Sequence, residues 1–255
     1  MALHILTIPC LSDNYAFLAH DPGTGDTMAV DVPEAAPIIA ALADKGWVLS
    51  HVLLTHHHAD HTQGLGDLLS AAPAQVIGAA ADAHRLPPLD LAVSEGDTIT
   101  LGGETGRVID VSGHTVGHIA VHFPESAVVF TADSLMALGC GRVFEGTMAQ
   151  MYASLCKLAA LPPETTVCSG HEYTQANAKF ALSVDPGNPA LISRAKAIDA
   201  ARAAGQATVP STLAEELATN PFLRAADPGV QANLGMTGQD PALVFAEIRT
   251  RKDRF

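Results

Sequence analysis

The 255-residue sequence predicts a layered α/β architecture with β-sheet at its centre, followed by a helical C-terminal third. Two observations support this prediction. Up to about residue 172, short apolar and β-branched runs alternate with turn residues and helical stretches, as in a sheet covered by helices. Beyond residue 172 the strand-like runs give way to capped helical segments. We therefore expect two domains, residues 1–172 and residues 173–255.

The first part of the chain carries ten runs with strand character, separated by turn residues. They are residues 5–8, 15–19, 27–32, 51–55, 75–79, 98–101, 106–111, 119–123, 127–131 and 165–169. Three segments between them have helical character, namely residues 35–45, 65–70 and 149–160.

The C-terminal helices are marked by their boundaries. A helix over residues 173–184 should end at the breaker Asp185-Pro186-Gly187-Asn188-Pro189, and an alanine-rich helix over 190–204 should end at Gly205. Thr212 and Glu215 have capping-box spacing ahead of a helix over 213–218. Asp240-Pro241 predicts the start of a last helix reaching about residue 251.

Composition restricts the functional classes. With 48% hydrophobic and 16% charged residues the chain is an ordered globular one, and 27 acidic against 14 basic residues give a net charge of −13. That charge disfavours nucleic acids and anionic membranes as partners. No apolar stretch approaches the roughly 18 residues of a membrane span. We see no secretory leader, and four cysteines without a C-x-x-C pair favour reduced thiols. We expect a cytoplasmic protein.

The strongest chemical signal is Thr55-His56-His57-His58-Ala59-Asp60-His61, directly after an apolar strand. In extended backbone the side chains of His56 and His58 point the same way, so both can bind one ion while His57 turns aside. Asp60 and His61 lie where the chain turns towards a helix and should face another direction. This pattern favours two metal ions.

Three further candidates follow apolar strands. They are His114 in Gly113-His114-Thr115, Asp133 in Thr131-Ala132-Asp133, and His171 in Ser169-Gly170-His171. Side chains at strand ends on one edge of a sheet converge on a common crevice. The remaining histidines, with His118 among them, are expected to have structural roles, and His57 to be a neighbour of the site.

These residues resemble a known superfamily, because T-H-H-H-A-D-H is a form of the T-H-x-H-x-D-H motif of metallo-β-lactamases. Within it, other segments are similar to the glyoxalase II (hydroxyacylglutathione hydrolase) family. They are Gly139–Arg142, Glu145–Thr147, His171–Thr174, Asn177, Asp185–Asn188, Asn220–Arg224 and Arg251–Asp253. The resemblance covers the whole chain. It implies a four-layer αββα fold with a C-terminal all-helical domain.

The resemblance also implies a dinuclear metal site. A first divalent ion would be held by His56, His58 and His114, and a second by Asp60, His61 and His171, with Asp133 bridging them. Zinc is the expected metal, and imidazole and carboxylate ligands also suit iron or manganese. Asp60, Asp133 and a hydroxide bridging the metals would be the catalytic groups. The implied reaction is hydrolysis of S-D-lactoylglutathione to glutathione and D-lactate, the second step of methylglyoxal detoxification.

The basic C-terminus gains a role from the same resemblance. Charge pattern alone leaves two interpretations open, a solvated tail or a contact for a small acidic ligand. Family positions that bind glutathione correspond to Arg142, Val143, Phe144, Tyr173, Arg249 and Lys252. Ser112, Ala132, Arg142 and Phe144 stand where the family often has Pro, Gly, Lys and Tyr. The first two affect loop geometry, and the last two affect substrate contacts.

Other functions remain as alternatives. On the same fold these are a one-iron persulfide dioxygenase, a lactonase or a β-lactamase. A nuclease would need the basic surface that the net charge of −13 argues against. A protein of another class would be a non-catalytic glutathione-conjugate binder, which should have lost a metal ligand. We expect a monomeric enzyme acting on a small-molecule glutathione thioester.

Overall fold

The computed structural model describes residues 2–255, which divide into two compact units. The first unit comprises residues 2–111 and Val116–Ala132, and the second comprises Ser112–Thr115 and Asp133–Phe255. The division falls after residue 132. The predicted domain boundary at residue 172 stays a prediction.

The first unit is built mainly from strands. Its strands are β1 (His4–Cys10), β2 (Asn14–His20), β3 (Asp26–Val30), β4 (Val48–Leu54), β5 (Gln75–Ala79), β6 (Leu91–Val93), β7 (Thr98–Leu101), β8 (Glu104–Asp110), β9 (Ile119–Phe123) and β10 (Val128–Ala132). Its helices are α1 (Ala35–Lys45), α2 (Ala59–Thr62) and α3 (Leu65–Ala71), with a 3₁₀ turn at Ala80–Asp82.

One sheet of this unit has the order β1-β2-β3-β4-β5-β6. The pairs β1–β2 and β2–β3 are antiparallel, whereas β3, β4, β5 and β6 run parallel. Helix α1 connects β3 to β4, and α3 lies between β4 and β5. The carboxyl ends of β3 and β4 therefore meet at one edge of the sheet, which brings Asp31 beside the loop that begins at Thr55.

The core of this unit consists of side chains between the helices and the first sheet and of side chains between the two sheets. On one face of the first sheet, Ile38 of α1 and Leu68 of α3 pack in a buried cluster with Val52 and other strand residues. A second, antiparallel sheet has the order β7-β8-β9-β10 within the unit. Phe17 of the first sheet contacts Phe130 of the second, with ring centroids 5.8 Å apart. Burial of such aromatic side chains is a main source of stability.

The second unit is mostly helical. Its strands are β11 (Leu135–Met136), β12 (Gly139–Cys140), β13 (Thr166–Ser169) and β14 (Ser211–Thr212). Its helices are α4 (Met148–Ala159), α5 (Thr174–Val184), α6 (Pro189–Ala203), α7 (Leu213–Thr219), α8 (Pro228–Leu234) and α9 (Pro241–Lys252). Phe222 contacts the rings of Phe180 on α5 and Phe245 on α9 at 6.0 and 5.9 Å.

Side-chain caps fix where these helices begin. Asn188, Asp227 and Asp240 each accept backbone N–H groups of the first turn and precede a proline at the first helical position. The predicted capping box between Thr212 and Glu215 is present at the start of α7.

A buried polar network holds the turn between β11 and β12. Asn220 Nδ2 donates to the carbonyl oxygens of Met136 and Gly139 at 3.1 and 3.0 Å. The Leu138 N–H donates to Glu216 Oε2 at 2.8 Å, and Ser211 and Arg194 also donate to the Glu216 carboxylate. Glu216 is fully buried. The network therefore fixes the segment that connects Asp133 to Arg142.

The predicted helices and the ten predicted strands occur with boundaries shifted by a few residues at most. The prediction missed the short elements α2, β6, β11, β12 and β14, and it missed helix α8. Among residues 2–255, no helix is long and apolar enough to span a membrane.

Candidate metal and substrate site

The histidine-rich loop begins where β4 ends. His56 Nε2 and His58 Nδ1 are 3.2 Å apart. Two imidazole nitrogens bound to one tetrahedral ion at 2.0–2.1 Å would lie about 3.3 Å from each other. These two side chains therefore have the spacing of ligands to a common ion.

Asp31 orients His61 directly and His56 through the Thr55 hydroxyl. Its Oδ2 accepts hydrogen bonds from His61 Nδ1 at 2.7 Å and from Thr55 Oγ1 at 2.8 Å. The Thr55 hydroxyl oxygen lies 3.0 Å from His56 Nδ1. Because a carboxylate only accepts, His61 carries its proton on Nδ1, and the Thr55 hydroxyl in turn accepts from His56 Nδ1. Both rings then present an Nε2 lone pair, the tautomer that binds metals.

Asp82 and His118 also contact the histidine-rich loop. His57 turns aside as expected, and its Nδ1 lies 3.0 Å from Oδ2 of buried Asp82. Arg85 donates to the other oxygen of Asp82 and to the Val116 carbonyl. The His118 ring stacks on His56 with centroids 4.6 Å apart and planes 11° apart.

Asp60 and His61 lie on the single turn of α2. His61 is buried, whereas the Asp60 side chain is 44% exposed, and His61 Nε2 is 3.8 Å from Asp60 Oδ2. Asn14 Nδ2 donates to both the backbone oxygen and Oδ2 of Asp60. A carboxylate and an imidazole thus lie close together, and the His61 ring is 4.3 Å from the ring of His56.

In the second unit, Asp133 lies between two histidines. Its Oδ2 is 3.5 Å from His114 Nε2 and 3.3 Å from His171 Nε2. All three side chains are buried. One carboxylate oxygen within ligand-to-ligand distance of two imidazole nitrogens is the arrangement that a carboxylate shared between two ions would need.

The backbone around His114 fixes its tautomer. His114 Nδ1 donates to the Arg142 carbonyl oxygen at 2.7 Å, which leaves Nε2 for a metal. A Cβ at Gly141 would lie 2.0 Å from the Asp133 backbone oxygen and 3.0 Å from His114 Nδ1. Only glycine allows this close approach, so Gly141 sets the spacing between the two candidate ligands.

Two exposed aromatic rings flank these histidines. Phe144, 60% exposed, lies 5.4 Å from the His114 ring, and Tyr173, 41% exposed, stacks on His171 at 4.6 Å. The Arg142 guanidinium lies over Phe144 and pairs with Asp253 at 3.3 Å. Val143 is half-buried in the same loop. Solvent-exposed aromatic rings beside buried polar groups are typical of a ligand-binding surface.

The two cations of α9 differ in environment. Arg249 is 5% exposed and donates to the Cys140 carbonyl oxygen and to Asp253 Oδ1, both at 2.9 Å. Lys252 Nζ donates to the Ala176 carbonyl oxygen at 3.3 Å and lies over the rings of Phe180 and Phe255. Burial, and next the charge of Arg249, lower the pKa of Lys252 from its ordinary value. Lys252 is only partly buried and so is the more accessible of the two cations, whereas Arg249 braces the β12 segment.

Two positioning residues had no motif to mark them. Asp31 follows β3 in the left-handed region, with φ of 57°, and Asn14 follows the β1–β2 turn. A polar residue directly after a parallel strand was a signal for Asp31, because the next parallel strand carries the histidines.

Comparison with known proteins first identifies the superfamily. Residues 21–171 match the metallo-beta-lactamase superfamily. The crystal structure of BLEG-1 B3 metallo-beta-lactamase shares the fold with a TM-score of 0.67 at 20% identity, over 86% of this chain and 99% of that one. The structure of TTHA1623 in a di-iron-bound form gives a TM-score of 0.60 at 27% identity, over 86% and 100%. The predicted fold class is confirmed, and the superfamily match together with the His/Asp clusters indicates divalent-metal binding.

The remaining matches identify the family within this superfamily. Residues 172–255 match the family described as hydroxyacylglutathione hydrolase C-terminus. A hydroxyacylglutathione hydrolase of Ruegeria pomeroyi is 68% identical over all of both chains, and one of Jannaschia sp. is 67% identical over 98% of both. The chain belongs to the hydroxyacylglutathione hydrolase family, as the sequence motifs predicted.

Proposed function

We propose that this enzyme hydrolyses the thioester of S-(2-hydroxyacyl)glutathione, with S-D-lactoylglutathione as its main substrate. The products would be glutathione and a 2-hydroxy acid, D-lactate, as in the second step of methylglyoxal detoxification. Relatives that carry the hydroxyacylglutathione hydrolase name match the chain from end to end at 56–68% identity. The observation that carries the chemistry is Asp133 Oδ2 lying within 3.5 Å of both His114 Nε2 and His171 Nε2.

We assign the metal ligands by position in the family motif. His56, His58 and His114 would hold one divalent ion, and Asp60, His61 and His171 a second, with Asp133 shared. The spacing of His56 and His58 and the tautomers set by Asp31 support this assignment. The relative TTHA1623, described in a di-iron-bound form, supports two ions. Zinc is our first candidate, with iron or manganese also suited to these ligands.

Bound divalent ions would supply an acidified water and an electrophile for the thioester carbonyl. The protein's own contribution is charge and orientation. Asp60 and Asp133 place carboxylates at the reacting centre, where they offset the charge of the ions and can accept a hydrogen bond from the attacking water. Buried Asp31 and Thr55 keep the histidines in one tautomer throughout the reaction. The chain needs no serine or cysteine nucleophile.

Glutathione would bind along the second unit. Lys252 would pair with a carboxylate of the tripeptide, and Arg142 would supply a further positive charge beside it. Phe144, Val143 and Tyr173 would cover the apolar part of the thioester next to His114 and His171. Arg249, already bonded to Cys140 and Asp253, would support these groups through the backbone. We further propose a cytoplasmic monomer without nucleic-acid or membrane partners.

The test is hydrolysis of S-D-lactoylglutathione by purified protein whose metal content is measured on the same sample. We expect turnover with close to two ions per chain, loss of activity with a chelator, and recovery when metal is returned. Asp133→Asn should abolish turnover, whereas Asp44→Asn, at a 74% exposed side chain, should not change it. No turnover by fully metallated protein would refute the proposal, and persulfide oxidation, lactone hydrolysis and β-lactam hydrolysis would be assayed next.

A further inference from the structure

Asn14 is bound to Asp60 through both hydrogens of its side-chain amide. Nδ2 donates to the Asp60 backbone oxygen at 3.0 Å and to Asp60 Oδ2 at 3.1 Å. The two residues are 46 positions apart in sequence. One amide thus fixes the main chain and the carboxylate of the same residue, which sets the direction of its Cα–Cβ–Cγ bonds.

Asp60 lies at a half-exposed position on a very short helix. Its side chain is 44% exposed, and α2 consists of only four residues, Ala59–Thr62. An exposed carboxylate on one helical turn would otherwise sample several rotamers. Its neighbour His61 is fully buried and bonded to Asp31 at 2.7 Å, so of this pair Asp60 is the more exposed residue.

Asn14 itself is rigidly placed. It is 4% exposed and begins β2, where it pairs with Cys10 across the β1–β2 hairpin. The Leu11 N–H in the connecting turn donates to Glu34 Oε2 at 2.8 Å, which ties the hairpin to the residue before α1. The amide therefore has a fixed position from which to hold Asp60.

The choice of an amide also has a chemical consequence. An amide donates to Oδ2 without adding charge. An aspartate at position 14 would have a closely similar shape and would instead place a second acceptor against Oδ2. The difference between the two residues is thus one of hydrogen-bond direction and charge.

We propose that Asn14 is a positioning residue for the metal ion bound by Asp60 and His61, and that it holds the Asp60 carboxylate in the orientation for ligation. The inference rests on the proposed dinuclear site. Loss of the Asn14 amide should weaken the second ion and leave the ion at His56 and His58 in place. Orienting partners of this kind typically change metal affinity 10- to 100-fold.

The experiment compares Asn14→Asp and Asn14→Ala with a matched control, Asn188→Asp. Asn188 Nδ2 also donates to a carboxylate oxygen, Asp185 Oδ2, and to a backbone oxygen, that of Ala218, both at 2.9 Å. Each protein is stripped of metal and titrated with Zn²⁺ against a competing chelator, and its thermal midpoint is recorded. Thioester hydrolysis is then measured at limiting and at excess Zn²⁺.

For both Asn14 variants we expect the first dissociation constant within about twofold of the wild-type value and the second raised at least about tenfold. Activity lost at limiting Zn²⁺ should return at excess Zn²⁺ with KM unchanged. Two ions bound with wild-type affinity, or both weakened equally, would overturn the inference. Failure of the wild-type protein to bind two ions or to hydrolyse the thioester would instead refute the proposed function.

Discussion

Replacing Asp31 by asparagine would exchange one buried oxygen for an amino group and should disturb two candidate metal ligands together. In the wild-type protein Oδ2 accepts from Thr55 Oγ1 and His61 Nδ1, and Oδ1 accepts from the Thr55 N–H at 2.9 Å. An NH₂ group in place of Oδ2 would donate to both partners. His61 would then move its proton to Nε2, the atom that the metal needs unprotonated.

The size of the expected effect follows from the one hydrogen-bond acceptor that the substitution removes. If the asparagine side chain flips, its NH₂ faces the buried Thr55 N–H, and an unpaired buried donor costs about 1–3 kcal/mol. If it does not flip, binding a metal must reverse the unfavourable tautomer at a similar cost. The unflipped arrangement corresponds to roughly 5- to 150-fold weaker metal binding, whereas the flipped one lowers the free energy of unfolding and keeps the metal affinity. Backbone strain does not contribute, because asparagine tolerates the φ of 57° at this position.

The assay is a chelator competition titration of the metal-free protein, with the thermal midpoint measured in parallel. Asp21→Asn is the control, because Asp21 is also buried and accepts backbone N–H groups, from Gly23 and Gly103, in the same unit. It follows β2 at the opposite edge of the sheet, so metal affinity should stay unchanged. Wild-type affinity for both ions together with a wild-type thermal midpoint in Asp31→Asn would refute the orienting role of this carboxylate.

Three further outcomes are expected. Lys252→Ala should raise KM for the thioester about tenfold, with a much smaller change in kcat. Because burial lowers the pKa of Lys252, the wild-type KM should also rise as the pH becomes alkaline, and it should do so at a lower pH than the KM of Lys252→Arg. A thiol reagent should modify exposed Cys156 rapidly and the three buried cysteines only after denaturation, since burial raises the pKa of Cys10 and Cys140 to about 11. Urea unfolding of Glu216→Ala should show a free energy of unfolding lower by about 3–5 kcal/mol, because the buried groups that donate to Glu216 lose their acceptor. Replacing the exposed Glu247 by alanine should lower it by less than about 1 kcal/mol.

Much of the fold could be predicted because its local signals agree with its tertiary contacts. The apolar runs before Thr55 and Thr131 are buried strands, and the cap at Asp240 begins α9 as expected. Helix α8 was missed although Asp227-Pro228 is the same kind of start signal. Strands of two or three residues, such as β11, carry too little pattern to be recognised.

The supporting residues of the site were harder to predict than its candidate ligands. Histidines at spacing i, i+2 have few structural explanations, so the motif at His56 is specific. Asn14 and Asp31 are common residue types, and their importance comes from hydrogen bonds that join distant parts of the chain. Such bonds depend on strand order and register, which sequence periodicity does not provide.

The Asp–Pro start of α9 also fixes rotation about the helix axis. Asp240 caps the Ala242 N–H at 2.8 Å, and Pro241 can occupy only the first helical position. Lys252 follows eleven residues later, which at about 100° per residue returns it to within roughly 20° of the azimuth of Pro241. One residue inserted or deleted between them would turn the ammonium group by about 100° while leaving the cap intact. This helix should therefore tolerate many substitutions on its exposed side and almost no change in length.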